Sequence, residues 1–143
     1  MERLRETEAI LDGHFALSSG RHSDRYVQCA RLLAATPVAA EVGAALAALL
    51  PGDLDLVVSP AMGGLIIGHE VARARRLPFL FTEREDGAMV FRRGFAVPPG
   101  ARAAVVEDVV TSGGSLREAA AALRAAGGTA IKPGCRHLGK TRA

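Results

Sequence analysis

Residues 103–116 read AAVVEDVVTSGGSL. A short apolar run, 103–106, reads as a buried strand that carries two adjacent carboxylates, Glu107 and Asp108, at its C-terminal end. A loop of small residues follows, and helical spacing over 115–126 stops at Gly127-Gly128. Thr111, Ser112, Gly113, Gly114 and Ser115 offer hydroxyls and unhindered backbone N–H groups beside a helix N-terminus, a combination that suits a phosphate monoester. Two carboxylates facing an anion-binding loop are electrostatically wasteful unless they hold something polyhydroxylated or cationic, such as ribose hydroxyls or a hydrated Mg²⁺. A ribose phosphate fits both halves.

The same strand, loop, helix pattern occurs upstream. LDLVVS, 54–59, is a strand bounded by Gly and Pro, and 64–76 carries Leu65, Ile66, Gly68, Val71 and Ala74 at helical spacing. Residues 79–82 read as the next strand, which a right-handed crossover places parallel to the first. Thr36 reads as an N-cap with Pro37 at the first helical position, opening a helix that ends at Pro51-Gly52. Residues 83–97, EREDGAMVFRRGFAV, are a hairpin around Asp86-Gly87 or a flexible excursion. Leu4, Thr7, Ile10 and Leu11 predict a short helix over 2–11, stopped by Asp12-Gly13, and 14–33 reads as loops and short strands. Strands alternating with helices predict an α/β fold, a parallel sheet covered on both faces.

At 143 residues, 49% apolar and 23% charged, the chain fits one globular domain. Its apolar stretches fall short of the roughly 20 residues that span a bilayer. MERLRETEAI lacks the apolar core of a signal peptide, which predicts a cytoplasmic protein. Cys29 and Cys135 have no ligand spacing, so neither disulfide nor zinc is expected. His14, His22, His69 and His137 show no HxH or HExxH pattern, so a protein-built metal site is not expected either. The net charge of +3 does not mark a nucleic-acid binder. Residues 1–131 hold 14 arginines against 15 acids, and the excess comes from Lys132, Arg136, Lys140 and Arg142. Both lysines of the chain lie in its last 12 residues, which makes 132–143 compositionally foreign.

VVEDVVTSGGS, 105–115, resembles throughout the signature of the type I phosphoribosyltransferases: a hydrophobic pair, two acids, a hydrophobic pair, then Thr, a small residue, Gly and Ser or Thr. The resemblance implies that Glu107 and Asp108 hold the ribose hydroxyls of 5-phosphoribosyl 1-pyrophosphate, with Val109 and Val110 beside them. It gives the 5′-phosphate to Thr111, Ser112, Gly113, Gly114 and Ser115. SPAMGGLIIGHE, 59–70, resembles the family's pyrophosphate loop, which assigns the diphosphate to Ala61, Met62, Gly63 and Gly64 and implies a non-proline cis peptide near Ala61-Met62. Arg84 matches the cation of the loop that closes over the pyrophosphate, and is implied as catalytic together with Glu107 and Asp108. Arg92 and Arg93 are further cations of that segment; adjacent strand residues point to opposite faces, so at most one of them faces the site.

SSGRHSDRY, 18–26, resembles the N-terminal hood of the orotate phosphoribosyltransferases, which selects orotate as the acceptor and implies contacts from Ser18, Tyr26 and Thr111. Ser18 stands where relatives commonly carry Lys. The implied organisation is one phosphoribosyltransferase-like domain over 1–143, with a hood (1–35), a core (36–131) and an atypical basic tail (132–143). The implied reaction gives orotidine 5′-monophosphate and pyrophosphate in UMP biosynthesis, with Mg²⁺ arriving mainly through the diphosphate and the protein acting as a homodimer without nucleic-acid or membrane partners. A purine-base phosphoribosyltransferase and a non-catalytic sensor of 5-phosphoribosyl 1-pyrophosphate are the alternatives. The resemblance stops at about residue 131. KPGCRHLGKTRA follows without the family's Asp-Arg, whose arginine binds the orotate carboxylate, so a truncated or frame-replaced C-terminus is expected.

Overall fold

The computed structural model describes residues 5–16, 20 and 22–131. An antiparallel pair, β1 (Ile10–Ala16) and β2 (His22–Val27), leads into α1 (Cys29–Ala34) and α2 (Thr36–Ala48). Then come β3 (Leu56–Pro60), α3 (Gly64–Arg75), β4 (Phe79–Glu85), β5 (Ala88–Phe91), β6 (Arg102–Val105), α4 (Gly114–Ala125) and β7 (Thr129–Ile131). The five-stranded sheet runs β5-β4-β3-β6-β7.

Neighbours β4, β3, β6 and β7 pair in parallel, as the crossover rule requires. The sheet is nevertheless mixed, because β5 pairs antiparallel with β4. Asp86 (φ 48°) and Gly87 (φ 84°) are both left-handed, the conformation a two-residue hairpin turn demands, which settles this segment as a hairpin.

All five residues of β3 are buried, so it is the centre of the fold. Leu56 and Val58 point to one face, where Ala101, Ala103 and Leu123 of α4 complete a cluster. Val57 points to the other, against Ala47 of α2 and Val71 and Ala72 of α3. Each buried leucine or valine among them contributes about 1.5–3 kcal/mol when removed from water. A third cluster, Leu33, Ala39 and Ile67, joins α1 to α2 and α3.

The N-terminal segment departs from the periodicity. Arg5 and Glu6 are helical, whereas Ile10 and Leu11 pair with Val27 and Tyr26 across the hairpin. Cross-strand pairing of β-branched and aromatic side chains overrides a weak helical spacing. Asp12-Gly13, expected as a stop, lies inside β1 where the register shifts between Asp12 and Phe15. Helix α1 lies within the stretch read as loops and strands, and Ala35, not Thr36, occupies the N-cap of α2. Arg75 was not singled out by its sequence. Its guanidinium donates to the carbonyls of Ala47, Leu50, Pro51 and Gly52 at 2.7–3.2 Å, a cation against the carbonyls at and beyond the C-terminal end of α2.

Helices α2 and α3 meet at Gly43, where an added Cβ would lie 2.5 Å from Cβ and 2.9 Å from the carbonyl carbon of Glu70. A helical Gly→Ala change ordinarily stabilises by about 1 kcal/mol. Gly43→Ala should instead destabilise by about 1–3 kcal/mol, because the backbone of α3 must move. Urea unfolding would check this, and a gain in stability would show that the helices separate without cost.

Candidate active site

The site forms where two adjacent parallel strands end. β3 runs through Pro60 into residues 61–63, and β6 runs through Val106 into Glu107 and Asp108. The Val106 amide donates to the Val58 carbonyl at 2.9 Å, prolonging the β3–β6 register to the base of both loops. Ligands of open α/β sheets bind in this position, outside the carboxyl ends of strands.

The loop after β3 is pinned by the Ala61 amide, which donates to Thr82 of β4 at 2.8 Å. The Ala61–Met62 peptide is cis, as the resemblance implied, and Met62 is 81% exposed. A Cβ at Gly63 would sit 2.6 Å from Asp108 Oδ1, so any side chain there would push the carboxylate aside. The glycine thus lets the Asp108 carboxylate lie directly against the loop backbone. Asp108 Oδ1 also accepts the Val109 amide at 2.8 Å.

Beyond the acids, Thr111 and Ser112 are exposed and Gly113 (φ 73°) turns the chain into α4. The first amides of α4 have no intrahelical acceptor and carry the positive end of the helix dipole. Arg117 reaches back one turn, donating from Nη1 to the Ser112 carbonyl at 2.8 Å. The structure therefore brings together 61–64 and 107–115, two loops that the sequence separates by more than 40 positions.

Glu107 is half-buried, and burial pushes its carboxyl up from the ordinary value; a hydrogen bond with Ser115 pulls it partly back, while the Asp108 charge adds to the rise. Behind the acids lies a cavity of about 60 Å³, lined by Cys29, Leu32, Leu33, Val42, Leu46, Ile67, Glu107 and Asp108. The Cys29 thiol lies 3.6 Å from the Asp108 carbonyl, and burial, then the Asp108 charge, pushes it up. The hood helix is thus the apolar backing of the carboxylates. Sequence reasoning missed this contact, although Cys29, Leu32 and Leu33 in CARLLA already show the i, i+3, i+4 spacing of a buried helical face.

The hairpin arginines are all paired. Arg84 on β4 donates to the Gly87 carbonyl at 2.6 Å and to Glu118 of α4 at 2.5 Å. Arg92 and Arg93 lie beyond the end of β5, so strand alternation does not govern them. Arg92 pairs with Glu85 at 3.4 Å, and Arg93 grips Glu83 through Nε and Nη2 at 2.8 and 2.7 Å. Tyr26 lies on β2 with its ring 5.6 Å from that of Phe15, within the hood. Ser18 and the basic tail, 132–143, lie outside the described residues. His14 and His22, unconnected by any sequence motif, meet across the hairpin with ring nitrogens 2.5 Å apart. No group of three or more potential metal ligands converges among the described residues.

A carboxyl with a raised folded-state pKa binds its proton more tightly when folded, so its stability contribution is full below the unfolded value and is lost as pH rises through the folded one. Glu107→Gln, which keeps the shape and an acceptor for Ser115, should therefore raise the thermal midpoint at neutral pH. The gain should vanish as pH falls below about 4. Thermal unfolding of both proteins across this range would check it, and a pH-independent difference would contradict the assigned cause.

No protein-family model matches the chain. The orotate phosphoribosyltransferase of Sphingopyxis alaskensis is 56% identical over 135 residues, covering 92% of this chain and 69% of that protein. That of Erythrobacter litoralis is 52% identical over 135 residues, covering 92% and 70%. Among solved structures, the orotate phosphoribosyltransferase of Aeropyrum pernix superimposes with a TM-score of 0.73 at 29% identity, covering 90% of this chain and 75% of that one. With more than half of its residues shared over nine-tenths of its length, the chain belongs to the orotate phosphoribosyltransferase family.

Proposed function

We propose that the protein transfers the 5-phosphoribosyl group of 5-phosphoribosyl 1-pyrophosphate to orotate, giving orotidine 5′-monophosphate and pyrophosphate in UMP biosynthesis. The observation that carries this reading is the convergence of Glu107 and Asp108 with the backbone of Gly63 and the loop 111–115, in a chain whose relatives bear that activity's name. Those names favour neither a purine-base acceptor nor a non-catalytic sensor.

In the reaction, orotate N1 bonds to ribose C1 and loses its proton, while the bond from C1 to the diphosphate oxygen breaks and its electron pair leaves with pyrophosphate. Positive charge develops on the ribose ring, so positioning and charge stabilisation matter more than a strong base. Glu107 and Asp108 hold the ribose hydroxyls. Thr111, Ser112, Gly113, Gly114 and Ser115 hold the 5′-phosphate, with the first amides of α4 aimed at its oxygens. Ala61, Met62, Gly63 and Gly64 receive the diphosphate, and Arg84 neutralises it as it leaves. Ser18, Tyr26 and Thr111 are assigned to orotate.

The donor set fits Mg²⁺ held chiefly by the substrate: two adjacent carboxylates are available here, and Mg²⁺ is commonly bound by one or two carboxylates together with substrate phosphates. Bound there, the ion would supply charge neutralisation of the diphosphate. A cytoplasmic homodimer is the proposed form, as the family resemblance implies. Among the described residues no helix is long and apolar enough to cross a membrane.

Pyrophosphate release from 5-phosphoribosyl 1-pyrophosphate with Mg²⁺ should require orotate and be absent with hypoxanthine, guanine or adenine. Release driven by a purine would overturn the acceptor assignment. Replacing both acids, Glu107→Ala with Asp108→Ala, should lower kcat/KM by about 100-fold or more while leaving the circular dichroism spectrum intact. Full activity in that variant would remove the acids from the mechanism.

A further inference from the structure

The three hairpin arginines differ in what neutralises them. Arg92 and Arg93 pair with Glu85 and Glu83 of their own hairpin. Arg84 pairs with Glu118, 34 positions away and just past the first turn of α4, the helix whose N-terminus closes the loop 111–115. We propose that Glu118 is a positioning residue: it holds the Arg84 guanidinium aside at rest, and the diphosphate must displace it to recruit Arg84. The inference rests on the reading of Arg84 given above.

Three observations support the exchange. Both side chains of the pair are about half exposed, at 48% and 46%, so the pair is accessible and inexpensive to break. Its other anchor, the Gly87 carbonyl, belongs to the same hairpin as Arg84, so the Glu118 contact is the one that ties the guanidinium to α4. A diphosphate offers several charged oxygens to a guanidinium fork, against one carboxylate oxygen engaged here. Glu118 also stands next to Arg117, whose guanidinium holds the Ser112 carbonyl, so one helical turn touches both the phosphate loop and the hairpin cation.

Glu118→Gln should tighten binding of 5-phosphoribosyl 1-pyrophosphate with Mg²⁺ by about two- to five-fold, the range that the strength of an exposed ion pair allows. The same gain should appear in KM for that substrate, with kcat and KM for orotate unchanged. Calorimetric titration of the wild type, Glu118→Gln, Arg84→Gln and the double variant provides the test. The gain should disappear in the Arg84→Gln background. Equal tightening there would mean that Glu118 acts only as a negative charge near an anion site, and overturns the proposal, as does an affinity that is unchanged or weaker in Glu118→Gln alone. A wild type that binds no 5-phosphoribosyl 1-pyrophosphate overturns the functional reading itself, and the inference with it.

Discussion

The parallel pairing of β3 with β6 is the constraint on which the site depends. Val57 and Ala104 lie in register, and Val106 continues the ladder to Val58, so both strands end side by side. Their two loops must then share one crevice. The contact is close enough that a Cβ on Gly63 would displace the Asp108 carboxylate. Burial of β3 on both faces keeps that register, since sliding it by one residue would exchange Val57 with Leu56 and Val58 between two different clusters.

Around this crevice, charge is arranged in two ways. The acids are backed by apolar side chains of α1, α2 and α3, which raises the cost of ionising Glu107 and strengthens any interaction that the ionised group then makes. The hairpin cations are instead exposed and already paired, each with a carboxylate. A half-buried anionic floor and an exposed cationic rim suit a ligand that is neutral and hydroxylated at one end and polyanionic at the other.

Much of this was legible in the chain. Both strand, loop, helix units, their order and the carboxylates at a strand end followed from apolar runs, glycines and the Glu107-Asp108 pair, because these signals are local and strong. The hood was harder. Ile10 and Leu11 satisfied a helical spacing, and only the presence of Val27 and Tyr26 opposite them decided for a strand. Arg92 and Arg93 were weighed by strand alternation, which fails because β5 ends at Phe91.

By itself the sequence determined which segments are helices and strands in the core, and that two adjacent carboxylates precede a loop of small residues at a helix N-terminus. These depend on hydrogen bonds and side-chain preferences reaching only a few residues along the chain. The tertiary structure alone decided that Cys29 lies against Asp108, that Arg75 closes the end of α2, and that Arg84 finds Glu118. Such contacts join positions 23 to 79 residues apart, and no local spacing encodes them; they exist because burial of β3 leaves its flanking elements only one arrangement.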